Sequence, residues 1–293
     1  MKRNKKNALD KYEPFDYIIN ALMVIILVIT LVPVLNVCAL SFSDSSFILA
    51  NEVSIFPKGF NLDAYKEILS SPKIPRAYLN TIIYTAVGVV FNLLFTVITA
   101  YPLSRKNLLG RKQITVFMII TLYFSGGMIP KFLLVSSLGL LDTMWSLIFP
   151  TVIWTFYLLV MRNAFEAIPE ELHEASVMDG ADEFTILTRV YLPNAKAAIS
   201  SIALYFFMGH WNDFFIPSIY LSSAEKYPLQ VVLRDMLTAT LQTNSNSIVD
   251  IGTLTPVALK NATIFVSIIP MLIAYPLAQK YFAKGVMVGA VKG

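Results

Sequence analysis

Tyr17–Ala39 reads YIINALMVIILVITLVPVLNVCA, without one charged side chain. A helix needs roughly 20 mostly apolar residues to cross a hydrocarbon core ~30 Å thick, and this stretch is long enough. The same property recurs along the chain. Ala77–Ser104, Gln113–Pro130, Thr143–Met161 and Asn261–Gln279 are also uncharged, and Ala197–Ser223 is interrupted only by His210 and Asp213. The pattern predicts an all-α, polytopic membrane protein forming a single membrane domain over residues 1–293. Six transmembrane helices are expected at about 17–40, 77–104, 113–136, 143–162, 197–221 and 261–281. Composition agrees: 56% of residues are hydrophobic and 14% charged, against about a quarter charged in soluble domains.

The charged residues assign the sides. Fifteen of the 23 Lys and Arg fall in four segments: the amino terminus (Lys2 to Lys11), Arg105–Lys112, Arg162–Lys196 and the tail from Lys280. The positive-inside rule places those segments in the cytoplasm, and an even number of spans then puts both termini there. Residues 41–76 and 222–260 become outside loops. Met1-Lys2-Arg3-Asn4-Lys5-Lys6 is like the start of a signal peptide, but the following apolar run is too long and lacks a good cleavage site, so it is read as a retained span. Cys38 is the only cysteine and forms no internal disulfide.

Three local features stand out. Ser125-Gly126-Gly127-Met128-Ile129-Pro130 should kink or end the third span, either toward the bundle interior or onto the outer surface. Residues 166–196 are polar and long, and read as a helical hairpin. Pro169 and Glu170-Glu171 open its first helix, Asp179-Gly180 stops it, and Asp182 caps a second helix that ends at Pro193. Phe184, Leu187 and Val190 line one face of that second helix, and His173 is expected at the hairpin surface. In the fifth span, His210 and Asp213 lie three residues apart and are placed to pair.

Within the hairpin, Glu174-Ala175-Ser176, three residues, Gly180, nine residues and Val190-Tyr191-Leu192-Pro193 resembles the coupling motif of binding-protein-dependent ABC importer permeases. Spacing matches throughout, with Ser176 for the commoner Ala and Val190 for the commoner Ile. Trp211-Asn212-Asp213-Phe214, Tyr227-Pro228-Leu229-Gln230 and the tail Lys284–Gly293 resemble the maltose-type carbohydrate permeases, closest to the subgroup for larger or acidic oligosaccharides such as alginate. The resemblance covers nearly the whole chain and implies the type I ABC importer permease fold.

It further implies a heterodimer with a second homologous permease, two ABC ATPase subunits, an external solute-binding protein and a place in the bacterial cytoplasmic (inner) membrane. Nucleic acid is not an expected partner. Glu174, Ala175, Ser176, Gly180, Val190, Leu192 and Pro193 would couple the chain to the ATPase. Gly180 would make the sharp reversal that other residues resist.

The chain carries no G-x-x-x-x-G-K-[ST] loop, so ATP and Mg are expected on the partner ATPase and this chain is not an enzyme. No catalytic residue, metal or cofactor is expected on it, since His173 and His210 stand alone. Trp211, Asn212, Asp213, Tyr123, Trp154 and Tyr157 are the candidates for the substrate pathway, as aromatic surfaces and hydrogen-bonding groups suited to saccharides. Asn244, Ser245, Asn246 and Ser247 form a polar loop tip expected to meet the solute-binding protein. Rival readings are a permease of the same superfamily for amino acids or peptides, an ion-coupled secondary transporter resting on Asp213 alone, and a membrane scaffold whose hairpin only recruits a partner.

Overall fold

The computed structural model describes residues 14–243 and 255–290. All regular elements among them are helical. The chain begins with α1 (Pro14–Ser41), α2 (Ser45–Leu49), α3 (Asp63–Ser70) and α4 (Lys73–Ser104). It continues with α5 (Arg111–Tyr123), α6 (Met128–Ser137), α7 (Trp145–Ile148), a 3-10 turn at Phe149–Thr151, and α8 (Thr155–Glu166). Next come α9 (Glu170–Met178), α10 (Glu183–Ile186), a π-helical turn at Leu187–Tyr191, α11 (Leu192–Asn194) and α12 (Lys196–Asn212). Finally there are α13 (Phe215–Tyr220), a 3-10 turn at Ala224–Lys226, α14 (Leu229–Thr243) and α15 (Pro256–Ala290).

These residues form two compact units. One holds α1, α2, α3 and the start of α15 to Val266; the other runs from Ser71 to Leu241 and resumes at Ser267. In the first unit, no residue of the apolar window of α1 is buried. Ile18, Leu22, Ile25 and Ile29 are all exposed, so α1 is apolar around its circumference and its surroundings must be apolar too. Beyond it, Asp44 caps α2 by accepting from the Ser46 N–H at 2.9 Å. Phe42 stacks on Tyr65, and the Tyr65 hydroxyl donates to Ser41 at 2.7 Å.

The second unit is built on α4. One stripe of this helix, Thr81, Thr85, Gly88, Asn92, Thr96 and Ala100, is buried, while Leu79, Ile83, Val90, Leu94 and Ile98 on other faces are exposed. Small and polar residues inside with apolar residues outside is the arrangement of a helix in lipid, where close packing rather than hydrophobicity joins helices. Two glycines make the approach possible. A Cβ at Gly88 would lie 2.6 Å from His210 Nε2 on α12, and one at Gly209 of α12 would overlap the Trp154 ring before α8. Leu158, Met161, Phe165, Ile202 and Phe206 fill the core between α4, α8 and α12.

Several spans are interrupted. α5 and α6 meet at 111°, and Trp145–Thr151 meets α8 at 54°. Counting each bent pair as one span gives up to five among the described residues, by length and composition. The stretch expected to span at 197–221 is cut at Asp213-Phe214, because Asp213 turns extended after the 17 residues of α12 and its carboxylate accepts from the Ile216 N–H at the start of α13. The Ser125–Pro130 break lies exposed on this chain, with Phe124 and Ile129 largely uncovered. It does not face the chain's own core.

At the end of the unit remote from residues 166–196, Asp142 acts as a clasp. Its backbone is left-handed (φ 56°), a conformation Asp tolerates better than most residues. Its carboxylate accepts from the Ser222 and Ser223 N–H groups, both at 3.0 Å, from the Ser223 hydroxyl, and from Lys226 Nζ at 2.6 Å. The Lys226 bond first, then those from Ser223 and Ser222, hold the Asp142 carboxyl well below the usual carboxylate range. A depressed folded-state pKa stabilises above the unfolded value, and the benefit is lost as pH falls through the folded one. Purified protein should therefore lose thermal stability below about pH 4. Asp142→Asn should melt lower at pH 7 and show a flatter acid limb, whereas identical acid limbs would remove Asp142 from the account.

Candidate functional site

Two regions of the second unit gather the residues expected to carry function: the hairpin and a cleft beside α12.

In the hairpin, α9 ends as its sequence requires. Gly180 sits at φ 79°, and the turn is closed by Asp179 N–H to Ala175 O, Gly180 N–H to Val177 O and Ala181 N–H to Ser176 O, each at 3.0 Å. Asp182 then caps α10 by accepting from the Thr185 N–H at 3.3 Å. The second helix runs through the π turn to Asn194 and leads into α12 with only a local break at Ala195. Glu174, Ala175, Leu172, Val177 and Met178 are exposed. Glu174 has no ion pair among the described residues. Of the remaining motif residues, Val190 and Leu192 pack against the core, and Pro193 opens α11.

One expectation is corrected here. His173 is buried, with 8% of its surface exposed, and its Nε2 lies 3.3 Å from Glu183 Oε1. It faces inward because α9 lays that side over α10 and the Tyr191 ring. Phe184, which shares a face of the second helix with Leu187 and Val190, is 72% exposed, while Leu187 and Val190 pack against the core. Ile186, the last residue before the π turn, is buried at 1% exposure.

Apart from Tyr191, the hairpin is joined to the bundle by residues that the motif does not include. Tyr101 near the end of α4 donates to Glu183, and Arg105 donates to the Tyr191 hydroxyl at 2.6 Å. Lys106 pairs with Glu170 at 3.0 Å, while Arg111 and Arg162 both pair with Glu166. The Tyr101 hydrogen bond, followed by the weaker contribution of His173, holds the Glu183 carboxyl below its ordinary range. An exposed ion pair such as Lys106–Glu170 contributes little, because water and salt screen it. The stronger join is aromatic: Tyr101 meets Tyr191 edge-on at 4.9 Å, and Phe165 of α8 meets Tyr191 at 5.7 Å. Such pairs add roughly 0.5–1.5 kcal/mol each beyond burial. Their spacing, scattered over residues 101, 165 and 191, gives no local signal in the sequence.

The cleft is about 290 Å³ and is lined by Thr151, Trp154, Met208, Gly209, His210, Asn212, Asp213 and Ile216. It brings together Trp154, Asn212 and Asp213 from the six pathway candidates. Trp211 points elsewhere: it is 2% exposed, donates from Nε1 to Ser267 O at 3.1 Å, and packs between Tyr78 and Phe207. Tyr157 packs against Trp154 and Tyr205 in the core region, and Tyr123 lies at the exposed end of α5. The expected His210–Asp213 pair does not form. Instead, His210 Nε2 lies 2.5 Å from Asn92 Oδ1, because Gly88 leaves room for the ring against α4. Asn92 also donates to Thr151 O at 2.6 Å and Val152 O at 2.8 Å, at the bend before α8. This buried amide was not singled out in the sequence, although a polar residue within an uncharged span is a legible sign. Asn244, Ser245, Asn246 and Ser247 lie outside the described residues.

Comparison with known proteins gives a consistent picture. The family model described as "Binding-protein-dependent transport system inner membrane component" matches residues 71–288. The chain is 40% identical over 266 residues to Protein LplC of Bacillus subtilis (strain 168), covering 90% of each. It is 36% identical over 282 residues to the polygalacturonan/rhamnogalacturonan transport system permease protein YtcP of the same organism, covering 95% of this chain and 98% of the relative. Among solved structures, it resembles a chain of a bacterial ABC transporter involved in the import of the acidic polysaccharide alginate. There the TM-score is 0.84 at 33% identity, over 93% of this chain and 99% of that one.

Proposed function

Since the chain belongs to the family of binding-protein-dependent transport system inner membrane components, we propose that it is one permease subunit of an ATP-driven importer of oligosaccharides. It pairs with a second permease, receives substrate from a solute-binding protein, and is driven by two ATPase subunits that hold ATP and Mg. The observation that carries this reading is the hairpin. Glu174, Ala175 and Ser176 lie on its outer helix, with Glu174 and Ala175 exposed, and Gly180 reverses the chain. The far helix is joined to α4 through Tyr101 and Tyr191. A partner that displaces α9 therefore moves α4 and, through α12, the cleft. A chemical event at a distance can bias a transporter's two states only through such a connection. The basic segments support a cytoplasmic side for the hairpin and both termini.

The substrate reading rests on the relatives, which include permeases named for polygalacturonan/rhamnogalacturonan and arabinooligosaccharides, and on the cleft. An indole, an amide and a hydroxyl suit a hydroxylated ligand. The cleft also carries Asp213 and no Lys or Arg. With no cation in its lining, the cleft suits sugar hydroxyls, and the carboxylates of an acidic oligosaccharide are met elsewhere in the assembly.

Purification of the chain should recover its ATPase and permease partners. In proteoliposomes, the binding protein loaded with a uronate oligosaccharide should stimulate ATP hydrolysis and uptake together. Uptake that persists without ATP and follows an ion gradient would replace this reading with a secondary carrier.

A further inference from the structure

A second cavity, of about 550 Å³, opens at the hairpin end of the bundle. Lys106, Arg111, Lys112 and Arg162 line it, together with Thr115 and Val116. The acids paired with these cations are Glu166, held by Arg111 and Arg162, and Glu170, held by Lys106. Lys112 is exposed and makes no ion pair among the described residues. Four cations against two carboxylates leave the groove positive.

The groove is basic at one end and apolar at the other. Val116, in its lining, belongs to an apolar stretch of α5 on which Ile114, Val116 and Phe117 are 42%, 48% and 67% exposed. The loop at its rim presents Leu109 at 93% exposure, beside the left-handed turn at Gly110. An uncovered Leu next to a cluster of cations, at the point where a span passes from charged to apolar, belongs at the polar boundary of a bilayer. Basic pockets at that depth recognise anionic headgroups.

We infer that the groove between the 105–112 loop, the start of α5 and the end of α8 binds an anionic phospholipid. The phosphodiester sits among Lys106, Lys112 and Arg162, and an acyl chain lies along Val116 and Phe117. A free anion would use the cations and leave the apolar wall bare, whereas an amphiphile satisfies both ends. Because Glu166 and Glu170 also anchor α8 and α9, the lipid lies against the residues that hold the hairpin.

The test uses the assembled transporter extracted in mild detergent. Native mass spectrometry counts the phosphatidylglycerol and cardiolipin retained by the parent and by variants Lys112→Gln and Lys106→Gln/Lys112→Gln, whose side chains are exposed. Each basic group near an anionic surface is worth enough that the double variant should retain about tenfold less, with the single variant between. Excess inorganic phosphate should leave the retained lipid in place. Equal retention by parent and double variant overturns the inference. So does complete displacement by phosphate, which makes the groove a simple anion site, and so does loss of the ATPase subunits with lipid retention unchanged, which makes it a protein contact.

Discussion

Asn92→Leu is expected to leave little folded protein in the membrane. Asn92 is fully buried, and one amide serves three elements: α4, which carries it, the bend before α8, whose Thr151 and Val152 carbonyls it satisfies, and α12, through His210. Leucine is close in size but supplies no hydrogen bond. Each bond contributes about 0.5–1.5 kcal/mol net, and an orphaned buried partner costs about 1–3 kcal/mol more. No other protein donor replaces the lost amide at the two freed carbonyls, and at membrane depth only the cleft that Thr151 lines could supply one. A total loss of about 3 kcal/mol or more is a large share of the ~5–15 kcal/mol that holds a folded protein together. Thermal aggregation of detergent-extracted protein should begin well below the parent temperature. Asn92→Leu protein as stable as the parent would mean that the bend does not depend on this amide. A control at Val90, exposed on another face of α4, should change little.

Gly180→Val should insert and fold yet fail to transport. A Cβ at this position meets nothing within 4 Å, so there is no clash to unfold the protein. The cost lies in the backbone: φ is 79°, and a left-handed non-glycine residue costs roughly 1–2 kcal/mol, with β-branched side chains worst. The chain can relieve this only by unwinding the last turn of α9, the turn closed by Ala175, Ser176 and Val177. A shift of 1.4 kcal/mol changes a population about tenfold. Uptake should fall by about that factor or more, while ATP hydrolysis by the assembled complex loses its response to loaded binding protein. Gly180→Asn, which tolerates the left-handed region, should keep much of the parent's uptake. Normal uptake by Gly180→Val would sink the idea that the hairpin transmits motion.

The hairpin was legible because its signals are local. A glycine at a helix stop, an Asp cap three residues before its N–H partner, and a motif of fixed spacing all act within a few residues of the chain. The side chains that fasten it were not, since Tyr101, Phe165 and Tyr191 meet only after α4, α8 and the π turn have packed. Trp211 shows the same limit. Its place in a sugar-permease-like motif suggested a pathway residue, and packing against Tyr78, Phe207 and Ser267 gave it a buried role.

The sequence by itself determined that the chain is helical, lives in a membrane and folds a polar hairpin between two spans, because length, apolarity and turn chemistry are properties of neighbouring residues. Only the tertiary structure decided where spans bend, which of the candidate residues share a cleft, and that Asn92 supports the bend before α8. Those outcomes depend on hydrogen bonds and close approaches between residues some 60 to 120 positions apart, set by how much room a glycine leaves between two helices.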